Sequence, residues 1–287
     1  MIAGFIITFY FVSNAGKNVI EQEDEPVEET VKVVEEKVEE IDYKKLWEDN
    51  KNKNIDYVGN IIFESGLLNL PFVCPTKDFT EYVFYTNTGN AVSDYENGCE
   101  EGACSGNDVY LRTDWETMKY NLGGSLFMDY RNSLNDQNVI IYGHHYPTYL
   151  DPDRSLFFTP LEKLLKKENY EANKYLKLVL ENETKYYIVA YVYYFHLTDE
   201  DYENLQFYRL NYNADYWGED DLGYYQTYIN NVESVKLYDT GIHLDTSDNT
   251  LTLQTCLEND DNALEIVVCK QINVDLYRQN NQNNGQQ

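Results

Sequence analysis

"GGSLFMDYRNSLNDQNVIIYGHH" runs from Gly123 to His145. Two short apolar runs, "GSLFMDY" and "NVIIYGHH", flank a polar stretch rich in Asn, Asp and Ser. Runs of this length and composition, bounded by turn formers, read as β-strands. The second run closes on Gly143 and His144. A glycine just before the histidine lets the backbone turn sharply, or lets another segment approach closely. The imidazole then stands at a strand end, where it can reach over the end of a neighbouring strand. The same pattern also fits a capping or solvent-exposed histidine in a turn.

Outward from this block the pattern repeats. "YVGNIIFES", "LLNLPFVC", "KYYIVAYVYYF", "SVKLYDT", "NTLTLQTC" and "LEIVVCKQI" are further short runs rich in Val, Ile, Tyr and Leu. Together the runs suit a mainly β barrel or sandwich of about eight strands. Helical pieces interrupt them. "SLFFTPLEKLLKKENYEANKYL" sets Leu161, Leu164 and Leu165 on one face with Pro160 near its start, and "TDEDYENLQFYRL" and "GEDDLGYYQTYINNV" open on acidic or capping residues. The tail from 276 to 287, ending "RQNNQNNGQQ", is low-complexity and polar and is expected to be disordered.

The chain of 287 residues has room for one sizeable domain with appendages. Its formal net charge of −28 disfavours nucleic acid as a partner, because phosphate binding needs clustered Lys and Arg. The start, "MIAGFIITFYFVSNAG" (residues 1–16), is apolar from Met1 to Val12. It is shorter than the ~20 residues that span a bilayer. It reads either as the C-terminal part of a signal anchor or as a buried helix or strand. The anchor is preferred, because the acidic tract that follows offers no partner for burial. That tract, within residues 17–48, reads as a solvated stalk turning helical near a main domain of residues 49–275.

Five cysteines without a CxxC signal neither a disulfide framework nor a zinc site. Cys99 and Cys104 in "GCEEGACSG" are either a small local disulfide loop or two unrelated thiols. His144 and His145, as neighbours on a strand, point to opposite faces and do not chelate a metal together. Cys256 ends the alternating strand "NTLTLQTC" and opens an acidic loop. A lone cysteine there is either a small buried hydrophobe or a nucleophile with a base beside it.

A strand ending "GH", a helix-bearing excursion, and a strand ending "TLQTC" resemble the sortases, the cysteine transpeptidases of Gram-positive cell surfaces. "DYVGNIIFESGLLNLPFV", the Gly123–His145 block, "SLFFTPLEKLL" and "TLQTC" are most similar to the class B sortases, over about Asp49 to Asn273. The resemblance implies an eight-stranded β-barrel with flanking helices, preceded by an anchor and a stalk. It implies Cys256 as nucleophile and His144 as its histidine, with no cofactor or metal. The partners it implies are a Thr-containing sorting-signal peptide and a cell-wall or pilin amine. It also implies an outward-facing domain held at the cell membrane by the N-terminal anchor. The Thr255 hydroxyl and nearby backbone N–H groups would share the oxyanion.

The family's third catalytic residue is an arginine on the following strand. Here "NALEIVV" sets Glu265 at that place, a departure that puts activity in question. Arg209 in "LQFYRLNYN" is the expected stand-in. The departure leaves a rival reading, a sortase-like protein that binds sorting signals or pilus subunits without efficient turnover. A hydrolytic cysteine peptidase is a third. A second departure is the long segment "TNTGNAVSDYENGCEEGACSGNDVYLRT", read either as a tolerated surface loop or as a lid or partner-binding element.

Overall fold

The computed structural model describes residues 42–76, 84–85, 91–92, 106–196, 205, 222–258 and 260–284. Helix α1 (Tyr43–Lys53) opens the described chain, with the Asp42 carboxylate accepting from the Lys45 N–H at its N-terminus. It docks on strand β1 (Tyr57–Phe63): the Trp47 indole donates to the Val58 carbonyl and Lys51 donates to that of Tyr57. The expected stalk–domain boundary at residue 48 therefore falls within a helix that packs on the sheet.

The other strands are β2 (Asn69–Val73), β3 (Phe84–Tyr85), β4 (Ala91–Val92), β5 (Leu126–Met128) and β6 (Asn138–Tyr142), then β7 (Tyr175–Leu180), β8 (Thr184–His196), β9 (Thr250–Leu257) and β10 (Asp260–Ile272). β3 and β4 form a separate two-stranded ribbon. The remaining eight close a barrel in the order β1-β2-β5-β6-β9-β10-β8-β7. The β2–β5 and β6–β9 pairs are parallel and the others antiparallel. The mainly β, eight-stranded barrel with flanking helices is as expected.

Alternation sorts the side chains. Val139 and Ile141 of β6, Leu251 and Leu253 of β9, and Val267 and Cys269 of β10 face the barrel interior, where they join Phe72, Leu126 and Leu178 in one core. Their neighbours Ile140, Ile266 and Val268 face outward and are covered by Tyr225, Tyr228, Ile229 and Val232 of helix α3 (Leu222–Val235). The central strands are thus buried on both faces, which is why they read as near-continuous apolar runs.

Three elements differ from the sequence reading. "SVKLYDT" is not a strand: it holds the end of α3 and the loop beyond, where the Tyr238 hydroxyl donates to the Leu164 carbonyl, 2.5 Å away. The eighth strand is instead β7, inside and beyond the stretch read as helical. The rest of that stretch forms 3₁₀ turns at Thr159–Leu165 and Lys167–Asn169 and a one-turn helix α2 (Tyr170–Asn173). The C-terminal tail, expected to be disordered from 276, is helical as α4 (Val274–Asn284). Tyr277 anchors it against Tyr175 and Tyr186, at ring distances of 5.8 and 4.5 Å, and the Asn273 side chain caps the Leu276 N–H. The apolar start and the helix expected over 198–210, except for the buried Leu205, lie outside the described residues. Among the described residues, no helix is long and apolar enough to cross a membrane.

Candidate active site

Two parallel strands carry the site. β6 and β9 run side by side, with Asn138 opposite Thr250 and Tyr142 opposite Gln254. Asn138 is fully buried, and its Oδ1 accepts from the hydroxyls of Thr250 (2.9 Å) and Thr252 (2.8 Å). Breaking such buried bonds is costly, so they pin the register at this end. At the other end the Gly143 N–H donates to the Gln254 carbonyl over 3.2 Å. His144 lies two residues beyond Tyr142, and Cys256 two beyond Gln254. Both therefore belong to the outer face, at adjacent ends of strands spaced about 4.8 Å apart.

Gly143 is required here by packing. A Cβ on it would sit 2.8 Å from the ring of Phe158, the residue whose N–H donates to the His144 carbonyl over 3.0 Å. The absent side chain lets the excursion after His144 close over the strand end and hold the histidine backbone.

His144 Nε2 lies 2.7 Å from the Leu111 carbonyl oxygen. A carbonyl only accepts, so Nε2 carries the proton and Nδ1 is left as the base. Burial lowers the His144 pKa below the ordinary histidine range; the Leu111 bond opposes this and the Arg112 charge adds to it. The neutral imidazole is the resting form. Leu111 belongs to the end of the long inserted segment, which is no detached surface loop there: Val109 and Tyr110 are core residues, and the Tyr110 hydroxyl donates to Asp56.

Cys256 is half-buried and sits opposite Leu264 of β10. Thr255 sits opposite Glu265. By alternation Thr255 and Glu265 share the inner face with Leu253 and Val267. Thr255 is 2% exposed and Glu265 is fully buried, and the Thr255 Oγ1 and both Glu265 carboxylate oxygens lack a hydrogen-bond partner among the described residues. Strand alternation sets the Thr255 hydroxyl, expected to share the oxyanion with nearby backbone N–H groups, on the face of the sheet opposite to that of Cys256. Glu265 likewise faces away from the thiol, and Leu264 takes the cross-strand place beside Cys256. The register shift between Asp260 and Leu264 sets which of the two does so.

A polar cluster ties together the loops that leave the two strand ends. Arg154 donates to Glu162 (2.9 and 2.5 Å) and to the Tyr146 carbonyl (2.6 Å), with His145 Nε2 at 3.0 Å and Glu258 at 3.3 Å. Glu258, two residues after Cys256, accepts from the Thr148 N–H and hydroxyl. Hydrogen bonding from Arg154 holds the Glu162 carboxyl below the usual range, and burial keeps His145 neutral. His144 and His145 thus take separate partners. Sequence reasoning passed over Leu111, which acts through its backbone, and the Arg154–Glu162–Glu258 cluster, whose members are far apart in the chain. Arg209, Cys99 and Cys104 lie outside the described residues.

No protein-family model matches the chain, and no curated relative matches it. Solved structures do. Sortase B of Clostridium perfringens is 24% identical with a TM-score of 0.57, over 79% of this chain and 99% of that one. A Staphylococcus aureus sortase B–substrate complex is 22% identical with a TM-score of 0.56, over 81% of this chain and 87% of that one. Sortase B of Bacillus anthracis, in complex with AAEK1, is 20% identical with a TM-score of 0.55, over 79% and 84%. The eight-stranded barrel that sets His144 and Cys256 at neighbouring strand ends has the fold of the class B sortases.

Proposed function

We propose that this chain is a cysteine transpeptidase of the sortase type. The observation that carries the reading is the β6–β9 register, which sets a neutral histidine and a half-buried thiol on the same face of adjacent strand ends. In this reaction His144 Nδ1 takes the proton of the Cys256 thiol, and the sulfur attacks the threonine carbonyl of a sorting-signal peptide of the Asn-Pro-x-Thr type. The tetrahedral adduct collapses to a thioester and breaks the C–N bond. The leaving amine takes the proton from His144. An incoming amine, from cell-wall peptide or a pilin lysine, then gives a proton to His144 and attacks the thioester. A new amide forms and the thiol is restored. The anchor-and-stalk start suits a surface enzyme held at the membrane.

The rival reading, binding without turnover, starts from the family's missing arginine, whose place in the sequence Glu265 takes. The test is a thioacyl trap. The protein is mixed with a labelled Asn-Pro-x-Thr peptide, quenched in acid, and examined by mass spectrometry. An adduct at Cys256, absent from Cys256→Ala and resolved by added amine to an amide product, is the expected result. Binding with no adduct would instead establish the rival, and hydrolysis unaffected by amine would establish a peptidase.

A further inference from the structure

We infer that Asp56 and Tyr110 are positioning residues for the reaction: together they fix the Leu111 carbonyl, and so decide which nitrogen of His144 serves as the base. The inference deepens the transpeptidase reading and rests on it. The two neutral tautomers of imidazole are close in energy, and the hydrogen bond made by one nitrogen sets the role of the other. His144 Nε2 lies 2.7 Å from the Leu111 oxygen, so that oxygen leaves Nδ1 as the base. Leu111 itself is exposed, and the hold on its carbonyl comes from the residues around it.

The preceding residue is the anchor. Tyr110 is fully buried; its hydroxyl donates to the Asp56 carboxylate over 2.7 Å and accepts from the Asn54 side-chain amide over 2.8 Å. Asp56 is fully buried as well. Thr76 donates to its other carboxylate oxygen, and its backbone carbonyl accepts from the Cys74 N–H over 2.8 Å, just past β2. Asn54 caps the C-terminus of α1 and also donates to the Trp115 carbonyl over 2.7 Å. The network therefore roots the stretch that bears Leu111 in both α1 and the end of β2. Buried polar groups paired in this way are rigid and costly to disturb.

The strand entry on the other side completes the hold. The Ser125 N–H donates to the Tyr110 carbonyl over 3.0 Å. Gly124 passes so close that a Cβ on it would sit 2.3 Å from the Leu111 oxygen, the same oxygen that holds His144. Its φ of +54° lies in the left-handed region that glycine enters freely. Glycine here leaves the Leu111 carbonyl room to face the imidazole, while Tyr110 and Asp56 keep it from turning away.

The test compares three variants with the unaltered chain. Tyr110→Phe keeps the ring in the core and loses the bond to Asp56. Asp56→Asn gives two donating hydroxyls, those of Tyr110 and Thr76, a single acceptor oxygen. Tyr170→Phe is the control, deleting another buried tyrosine hydroxyl, one that donates to the Val189 carbonyl over 2.9 Å. The first readout needs no peptide. Nitrogen-15 spectra of histidine-labelled protein, with the His144 signals identified by their loss in His144→Asn, report its tautomer and titration. The unaltered chain and Tyr170→Phe should show neutral His144 protonated at Nε2 alone. Tyr110→Phe and Asp56→Asn should show a mixture of tautomers. Burial lowers the His144 pKa and the Leu111 bond opposes it, so both variants should gain the second proton at lower pH still. A His144 unchanged in both overturns the assignment, and so does an equal change in Tyr170→Phe. The second readout is thioacyl formation with the Asn-Pro-x-Thr peptide. A positioned base supplies about 100- to 10,000-fold, so the rate at saturating peptide should fall about tenfold or more in the two variants, with KM little changed. Equal saturating rates overturn the positioning role. If the tautomer shifts but no chain, the unaltered one included, takes up peptide, the transpeptidase reading fails while the hold of Asp56 and Tyr110 on His144 stands.

Discussion

Glu265 is a fully buried carboxyl that no donor among the described residues meets. Burial pushes its pKa up to about 8, and the Glu162 charge adds to the rise. At neutral pH it is therefore mostly protonated, and its charge acts only above that range. A carboxyl whose folded pKa is raised contributes fully below its unfolded value and progressively less as pH rises to the folded one. Between the ordinary glutamate value near 4.5 and about 8, the native state should lose a few kcal/mol from this group alone. Glu265→Gln keeps the shape and removes the proton. Thermal unfolding of both proteins from pH 5 to pH 8.5 should show the wild type losing stability relative to the variant as pH rises. Parallel curves would mean that the Glu265 carboxyl gains solvent or a donor. Its side of the sheet was not legible in the sequence. Counting along the chain from Cys256 assigns a place in a motif, but the shift between Asp260 and Leu264 decides the face. The thiol and the imidazole were singled out because each closes a strand-like run, "NTLTLQTC" and "NVIIYGHH", and the structure pairs those two strands side by side.

The loops that leave β6 and β9 need a tie, and Arg154 provides it. Its backbone is in the left-handed region at φ +52°, where a residue with a Cβ is disfavoured by roughly 1–2 kcal/mol. The guanidinium bonds to Glu162, Tyr146 and Glu258 offset that strain. Two variants separate backbone from side chain. Arg154→Ala keeps the strain and loses the bonds, and should cost about 2 kcal/mol. Arg154→Gly loses the bonds but relieves the strain, and should cost less. In both, the Thr148 amide should exchange with deuterium faster, because its acceptor Glu258 is no longer held. A glycine variant more stable than the wild type would show that the bonds do not matter. These elements mark where local pattern stops being informative. β7 follows a run of Lys, Glu and Asn that reads as helix, and only its pairing with β1 and β8 makes it a strand. Leu161 and Leu164 do face the core as their spacing implies, but through 3₁₀ turns opened by Pro160. In α4 the polar composition hid Tyr277, whose burial against two tyrosines orders the helix.

For the molecule as a whole, the net charge of −28 sets up a field in which the proposed transpeptidation would take place. Most of that excess lies beyond the acidic N-terminal tract, so the field belongs to the barrel-bearing part of the chain itself. An acyl acceptor that is a protonated amine with further basic groups is drawn toward such a surface, and steering of this kind raises association rates by about 10- to 1000-fold at low salt. The field falls off over about 8 Å at physiological ionic strength, so added salt removes it. The two half-reactions should then respond differently. Acylation of Cys256 by a net-neutral peptide depends on local groups, and its rate should change less than about threefold between 20 mM and 500 mM salt. Resolution of the thioester by a lysine-containing tripeptide should slow about tenfold or more across the same range. Hydroxylamine, neutral and small, serves as the control and should be nearly insensitive. Stopped-flow or quenched-flow rates for the three reagents distinguish steering from a general effect of salt on the enzyme. If the tripeptide and hydroxylamine slow in parallel, the acidic surface has no part in choosing the acceptor, and its role reduces to solubility. If only the tripeptide slows, the acidity of the chain is part of its specificity for cationic amines, acting on encounter before His144 or Cys256 touches the acceptor.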